Sequence, residues 1–279
     1  MKKLKKILNY TRSLARHDLP TREKTDNKTK GGKCLIVAGS KGMWGAAILS
    51  ATSAARVGAG YVYLFNDEKQ FPVFRHPDFL QIHSVKQLSQ LKFQATAIGP
   101  GMSDQLKILK LLKKWIREKR KNVVVDATAL TVISKNKLRL PKNWILTPHE
   151  GELARMIGWS AERIRSDREG AIQIATENYS CIIVLKGHHT LVADEQHIFR
   201  ILAGNSSLSK AGTGDVLTGM IASFLSQGLA PIKAASLGVF LHGAMADQWI
   251  DDGKDHLSLI ASDLNEKLPQ FLLRLRKSS

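Results

Sequence analysis

Short apolar runs that end in a glycine or polar turn, and then give way to a segment of helical period, constrain this chain more than any other feature. Cys34-Leu35-Ile36-Val37-Ala38 leads into Gly39-Ser40, then into a helix rich in small residues from Ala46 to Val57 that Gly58 and Gly60 close. Tyr61 to Phe65 reads as the next strand, and Phe93 to Ile98, Asn122 to Asp126, Trp144 to Leu146 and Cys181 to Leu185 repeat the form. Apolar strands alternating with helices specify a parallel sheet with helices on its faces, because parallel strands need crossover connections. Ligands of such sheets gather beyond the strand C-termini. Gly99-Pro100-Gly101, Asp126, His149 and Lys186-Gly187-His188-His189-Thr190 all fall on that rim.

No linker or repeat divides the 279 residues, so one α/β domain over 1–279 is expected. Leu4, Ile7, Leu8 and Leu14 suggest a basic, amphipathic helical arm over residues 1–20. The helix after Gly101 is expected to bury Leu106, Leu109, Leu112 and Ile116 and to expose Lys107, Lys110, Lys113, Lys114 and Arg117. Thr147-Pro148-His149-Glu150 reads as a capping box with Thr147 at the cap, a role that leaves the His149 imidazole to point out at the rim. Ile232 to Ile250 reads as a buried helix behind the site.

The stretch from Asn205 to Gly219 carries the chemistry. After Gly214, apolar residues fall at Val216, Leu217, Met220, Ile221, Phe224 and Leu225, one face of a helix whose first turn follows Gly212-Thr213-Gly214. Unpaired N–H groups and the positive end of the helix dipole make that turn an anion site, and the glycines let a phosphate approach the backbone. Asp215 sits beside it. It either favours the helix N-terminus electrostatically or takes a proton from a hydroxyl being phosphorylated; these residues leave both readings open. Asp126 is open in the same way, as a rim carboxylate or as a cap for the segment Thr128 to Ile133.

The 42 Lys+Arg against 24 Asp+Glu give a formal charge of +18. The excess lies largely in the N-terminal arm, on the helix around 107–121 and in the tail, with few aromatic residues between the charges to stack on bases. Solvated faces are expected, with neither nucleic-acid nor membrane binding. Cys34 and Cys181 lie in apolar strands and read as buried thiols of a reducing cytoplasm. No His-Glu-x-x-His occurs and no protein ligand set for a metal is expected. The adjacent His188 and His189 read as loop residues whose side chains diverge.

Taken in order, Val37-Ala38-Gly39-Ser40 with Gly45-Ala46-Ala47, Gly99-Pro100-Gly101, Thr147-Pro148-His149, Leu185-Lys186-Gly187 with Thr190, and Ala211-Gly212-Thr213-Gly214-Asp215 resemble the ADP/ATP-dependent NAD(P)H-hydrate dehydratase family, from about Leu19 to Pro269. The resemblance implies a ribokinase-like three-layer α/β/α fold with a central, mostly parallel sheet. It implies that Ala46, Gly101, His149 and Asp215 contact the hydrated nicotinamide nucleotide. Lys186, Gly187, His188, His189, Thr190 and Gly214, with the anion turn at Gly212 and Thr213, would hold ADP or ATP with Mg²⁺. Lys28 matches a family lysine in a weaker motif. Asp215 would accept the proton of the C6 hydroxyl as it attacks the terminal phosphoryl group, after which phosphate is expelled.

The chain departs from that pattern at Thr128, where the family often has a second Asp, and at Asn205 to Ser209. Many relatives carry an N-terminal epimerase domain for which residues 1–30 leave no room, so a separate NAD(P)H-hydrate epimerase is the expected partner. A cytoplasmic homotetramer is implied as well. The alternatives are a ribokinase-like kinase of a small hydroxylated metabolite such as a vitamin precursor, and a basic nucleic-acid-binding protein.

Overall fold

The computed structural model describes residues 6–66 and 78–277. In chain order the elements are β1 (Ile7–Asn9), α1 (Arg12–Asp18), β2 (Lys33–Val37), α2 (Trp44–Arg56), β3 (Tyr61–Phe65), β4 (Leu80–Ile82) and α3 (Val85–Gln90). There follow β5 (Ala95–Ile98), α4 (Gln105–Arg117), β6 (Val123–Val125), α5 (Thr128–Lys135), β7 (Ile145–Leu146), α6 (Glu150–Ile157), α7 (Ala161–Ser166) and α8 (Arg168–Tyr179). The chain closes with β8 (Ile182–Leu185), β9 (Leu191–Ala193), β10 (Ile198–Arg200), α9 (Thr213–Ser226), α10 (Pro231–Asp251) and α11 (Ala261–Lys277).

Among the described residues the strands form one ten-stranded sheet in the order β1-β10-β9-β8-β7-β6-β5-β2-β3-β4, in which only β9 runs against its neighbours. The sheet is therefore mostly parallel, as expected. Its strands alternate between two cores. Cys34 and Ile36 of β2 face the layer of α2, α9, α10 and α11, while Leu35 and Val37 face α4, α5, α6 and α8. Both cysteines are buried and free, and desolvation raises both thiol pKa values far above the ordinary range. No helix among the described residues is long and apolar enough to cross a membrane.

The strand order reverses between β2 and β5, which opens a crevice between the loops that follow them. The Gly39 N–H donates to Pro100 O at 2.8 Å and Ser40 Oγ to Gly101 O at 2.6 Å, so the two glycine loops are tied together there. On the helical side, α9 is buried almost throughout, and Gly219 lets it lie directly on the Ser50 carbonyl of α2.

Two expectations are corrected. Ile7–Asn9 is a strand, paired in parallel with β10, and the helix of the arm begins only after Thr11, whose hydroxyl caps it. The sheet edge offers these residues backbone partners that overrule a helical reading of four leucine and isoleucine positions; Leu4, with Lys2, Lys3 and Lys5, lies outside the described residues. In α4 the buried face is Ile108, Leu111, Leu112 and Trp115, and Leu106 is 71% exposed. Trp115, the largest apolar side chain of the helix, turns inward and rotates the face by about one residue.

Candidate active site

The C-terminal ends of β6 and β8 and the first turn of α9 bring three charged groups together. Asp126, directly after β6, is 3% exposed. Its Oδ1 accepts from Lys186 Nζ at 2.9 Å and from the Ala127 N–H at 2.9 Å, and its Oδ2 accepts from Thr218 Oγ1 at 2.8 Å. Burial works against the Asp126 charge, but the Lys186 ammonium and hydrogen bonds from Thr218 and Thr147 outweigh it and hold the carboxyl below its ordinary pKa. Lys186 is in the mirror position: burial opposes its charge, and Asp126, Glu152 and Asp215 together hold its pKa above the usual lysine value. Glu152 Oε2 stands 4.0 Å from the same ammonium.

Asp215 is the third residue of α9 and behaves differently. Burial first, and the Asp126 charge second, push it up to about 7, with Lys186 partly opposing them. Two neighbouring carboxylates thus have well-separated proton affinities, the arrangement by which a site divides ionic and proton-transfer roles. Among the described residues no three His, Cys, Asp or Glu side chains converge as a metal site.

Gly212 adopts φ +91° as the cap of α9, a conformation that a side chain would strain. The N–H groups of Ala211, Gly212 and Gly214 have no hydrogen-bond partner among the described residues. Unpaired N–H groups at a helix N-terminus are the requirement of an anion site. Behind them His242 of α10 donates Nε2–H to Thr213 O at 2.9 Å. Burial lowers its pKa to about 4 against the opposing effect of that bond, so the ring is neutral.

A cavity of about 580 Å³ opens over this turn. One wall is Lys186, Gly187, His188 and Thr190; the other is the 203–211 loop; Thr213, Gly214 and His242 form the base. That volume suits a nucleotide-sized ligand. Asp247 fixes the loop by accepting from Gly204 N at 2.8 Å and Asn205 Nδ2 at 2.9 Å. Arg168 fixes the opposite wall, donating to Leu185 O at 3.1 Å and Lys186 O at 3.5 Å while paired to Glu150.

The structure brings most of the expected residues to this rim. Ala46 and Gly101 lie against each other, since a Cβ on Gly101 would stand 2.8 Å from that of Ala46. One helical turn after Ala46, Ser50 Oγ donates to Asp215 O at 2.9 Å, which joins the Ala46–Gly101 wall to α9. Lys186 is at the rim but committed to Asp126. His189 does not line the cavity, and its ring lies 3.7 Å from that of His188 rather than diverging, because His189 takes φ +52° and folds back. Lys28 is elsewhere, over the Tyr61 ring at the opposite end of the strands.

The capping box of α6 is also corrected: its cap is His149, not Thr147. His149 Nδ1 accepts from the Gly151 and Glu152 N–H groups, and Glu152 accepts from His149 N. Thr147 is buried and donates to Val125 O. His149 nevertheless lines the cavity. Thr218, Glu152, Arg168 and His242 were not expected at the site; only the placement of Thr218 three residues after Asp215 on one helix gave a local signal.

A family profile described as NAD(P)H-hydrate dehydratase matches residues 34–270. The chain is 36% identical over 253 residues to a bifunctional NAD(P)H-hydrate repair enzyme of Coxiella burnetii, covering 88% of this chain and 51% of that protein. It spans about half the length of the first curated relatives it matches. It is 34% identical over 272 residues to an ADP-dependent (S)-NAD(P)H-hydrate dehydratase of Neisseria meningitidis, covering 94% of this chain and 92% of that one. A solved structure of the ADP/ATP-dependent NAD(P)H-hydrate dehydratase of Bacillus subtilis, co-crystallised with ATP and Mg²⁺, superposes with a TM-score of 0.86 at 30% identity, covering 96% and 98% of the two chains.

Proposed function

The chain belongs to the NAD(P)H-hydrate dehydratase family, and on that premise we propose that it uses ADP or ATP to dehydrate the S form of hydrated NADH or NADPH back to the reduced cofactor. The architecture is ribokinase-like. The observation that carries the reading is Asp215, a carboxyl with a pKa of about 7 on the first turn of a helix whose N–H groups are free to hold phosphate.

Hydroxide leaves poorly and phosphate leaves well, so the hydroxyl at C6 is first phosphorylated. Asp215 takes its proton as the oxygen attacks the terminal phosphorus, and the bond to the nucleotide's bridging oxygen breaks. The unpaired N–H groups of Ala211, Gly212 and Gly214 and the Lys186 ammonium stabilise the charge that develops on the phosphoryl oxygens. The ring nitrogen lone pair then expels phosphate from C6, and loss of a proton from C5 restores the 5,6 double bond. A proton base of pKa near 7 suits this chemistry at neutral pH.

Under this reading the 580 Å³ cavity takes the adenine nucleotide, and the Ala46–Gly101 wall with His149 takes the hydrated nicotinamide. The described residues supply no cage for a resident divalent ion, so Mg²⁺ arrives on the nucleotide phosphates. We take the working form to be a homo-oligomer in the cytoplasm, served by a separate epimerase. Hydrated NADH mixed with the protein and ADP or ATP tests the activity: return of the reduced-nicotinamide absorbance supports it, and a stable phosphorylated product without that return assigns a kinase instead.

A further inference from the structure

Asp126 is held in place by unusually costly means. Ala127, next to it, adopts φ +50° and ψ −128°, a region almost confined to glycine, at a cost on the order of 1–3 kcal/mol. Gly99 must lack a side chain because the Asp126 carbonyl oxygen would stand 1.9 Å from its Cβ. The Asp126–Lys186 pair joins a buried carboxylate to an ammonium only 21% exposed, and an ion pair so far removed from water gives little net stability relative to apolar side chains of the same volume. Three unfavourable features converge on one carboxylate. Their common result is that the Lys186 ammonium stands 3.6 Å from the Cβ position of Gly214, at the anion turn and beside Asp215.

We propose that Asp126 is a positioning residue that acts through Lys186: it holds the ammonium where both Asp215 and an incoming phosphate face it, and so sets the proton affinity of Asp215. The inference rests on the reading of Asp215 as the base, although its physical content needs no substrate. Each element packed around the pair contributes a group. Asp215 and Thr218 come from α9, Lys186 from the end of β8, Thr147 from the end of β7, Glu152 and His149 from α6, and His242 from α10.

The signs are opposed and therefore diagnostic. Asp126→Asn removes a negative neighbour and frees the ammonium to turn toward Asp215; both effects make Asp215 a weaker base. Lys186→Met removes the only cation of the group and leaves two carboxylates facing each other, which makes Asp215 a stronger base. Because Lys186→Met leaves Asp126 buried and unpaired, it is backed by the double variant Asp126→Asn with Lys186→Met, which restores neutrality.

Carbon-13 NMR of the aspartate carboxyls in the full chain, without ligand, reads this directly, the Asp215 signal being the one lost in Asp215→Asn. The wild-type midpoint is expected near 7, falling by one pH unit or more in Asp126→Asn, with the double variant above Asp126→Asn. In the dehydratase assay the acid limb of kcat/KM moves down with that midpoint, and KM for the nucleotide rises as the ammonium turns away from the phosphate. A folded Asp126→Asn protein whose Asp215 midpoint is unmoved overturns the proposal. Absence of dehydratase activity in a wild-type protein with the expected midpoints would instead overturn the functional reading alone.

Discussion

The Lys186 ammonium stands 3.6 Å from the point where a Cβ on Gly214 would sit, close enough for contact and too far for a clash. Gly214 is therefore not required by the fold. Its absent side chain leaves room for a third party, and the unpaired N–H of the same residue shows which kind.

Gly214→Ala separates folding from binding. Alanine is the better helix former by about 1 kcal/mol, so denaturant unfolding should show stability kept or raised. The methyl group occupies the phosphate approach, and the nucleotide KM should rise by about tenfold or more, measured by steady-state kinetics or calorimetry. Gly212→Ala should instead destabilise by about 1 kcal/mol or more, since that position has φ +91° and its Cβ would lie 2.7 Å from Leu49 Cδ1.

Asp215→Asn should lower turnover by about two to four orders of magnitude with nucleotide affinity largely kept. It should also stabilise the protein. The folded-state pKa of about 7 exceeds the ordinary 3.8, so the folded chain holds a proton that the unfolded chain releases, and stability is lost as pH rises from about 3.8 through 7. Relative to wild type, the variant should gain nothing at pH 3.5 and up to about 4 kcal/mol at pH 8, read from urea unfolding at each pH.

His242 shifts in the opposite direction. Its folded pKa, about 4, lies below the ordinary 6.5, so its neutral form adds stability that is present above 6.5 and lost as pH falls toward 4. A His242→Asn variant, which can still donate to Thr213 O, should be less stable than wild type at pH 7.5 and recover up to about 3 kcal/mol of that deficit by pH 4. A deficit that does not change with pH would mean that the ring has the same proton affinity in the folded and unfolded chains.

Much of this architecture could be read locally. The bounds of β3 agree with the apolar run Tyr61 to Phe65, and glycine turns after β2 and β5 identified the crevice, because strand ends and tight turns leave marks in adjacent residues. Ile7–Asn9 left no such mark: three residues at a sheet edge have no period of their own, and their partner β10 is nearly two hundred residues away. The cap of α6 was misassigned because Glu150 and Glu152 each complete a box, one with Thr147 and one with His149, and only the burial of Thr147 decides between them.

The site divides along the same line. Asp215 and the anion turn were legible because helix period, glycine and charge all lie within one segment. The commitment of Lys186 was not, since its partner Asp126 is 60 residues away and each residue alone suggests a ligand contact. Thr218 shows the limit well: it lies on the same helix as Asp215, yet its role comes from a carboxylate 92 residues distant.

The most direct test of the account is the absorbance of reduced nicotinamide in a solution of hydrated NADH. With wild-type protein and ADP or ATP it should return in full for the S form, at a rate with an acid limb near pH 7, and Asp215→Asn should slow the return by about a hundredfold or more while still binding nucleotide. No return with either nucleotide, or an equal rate in the Asp215→Asn protein, would contradict it.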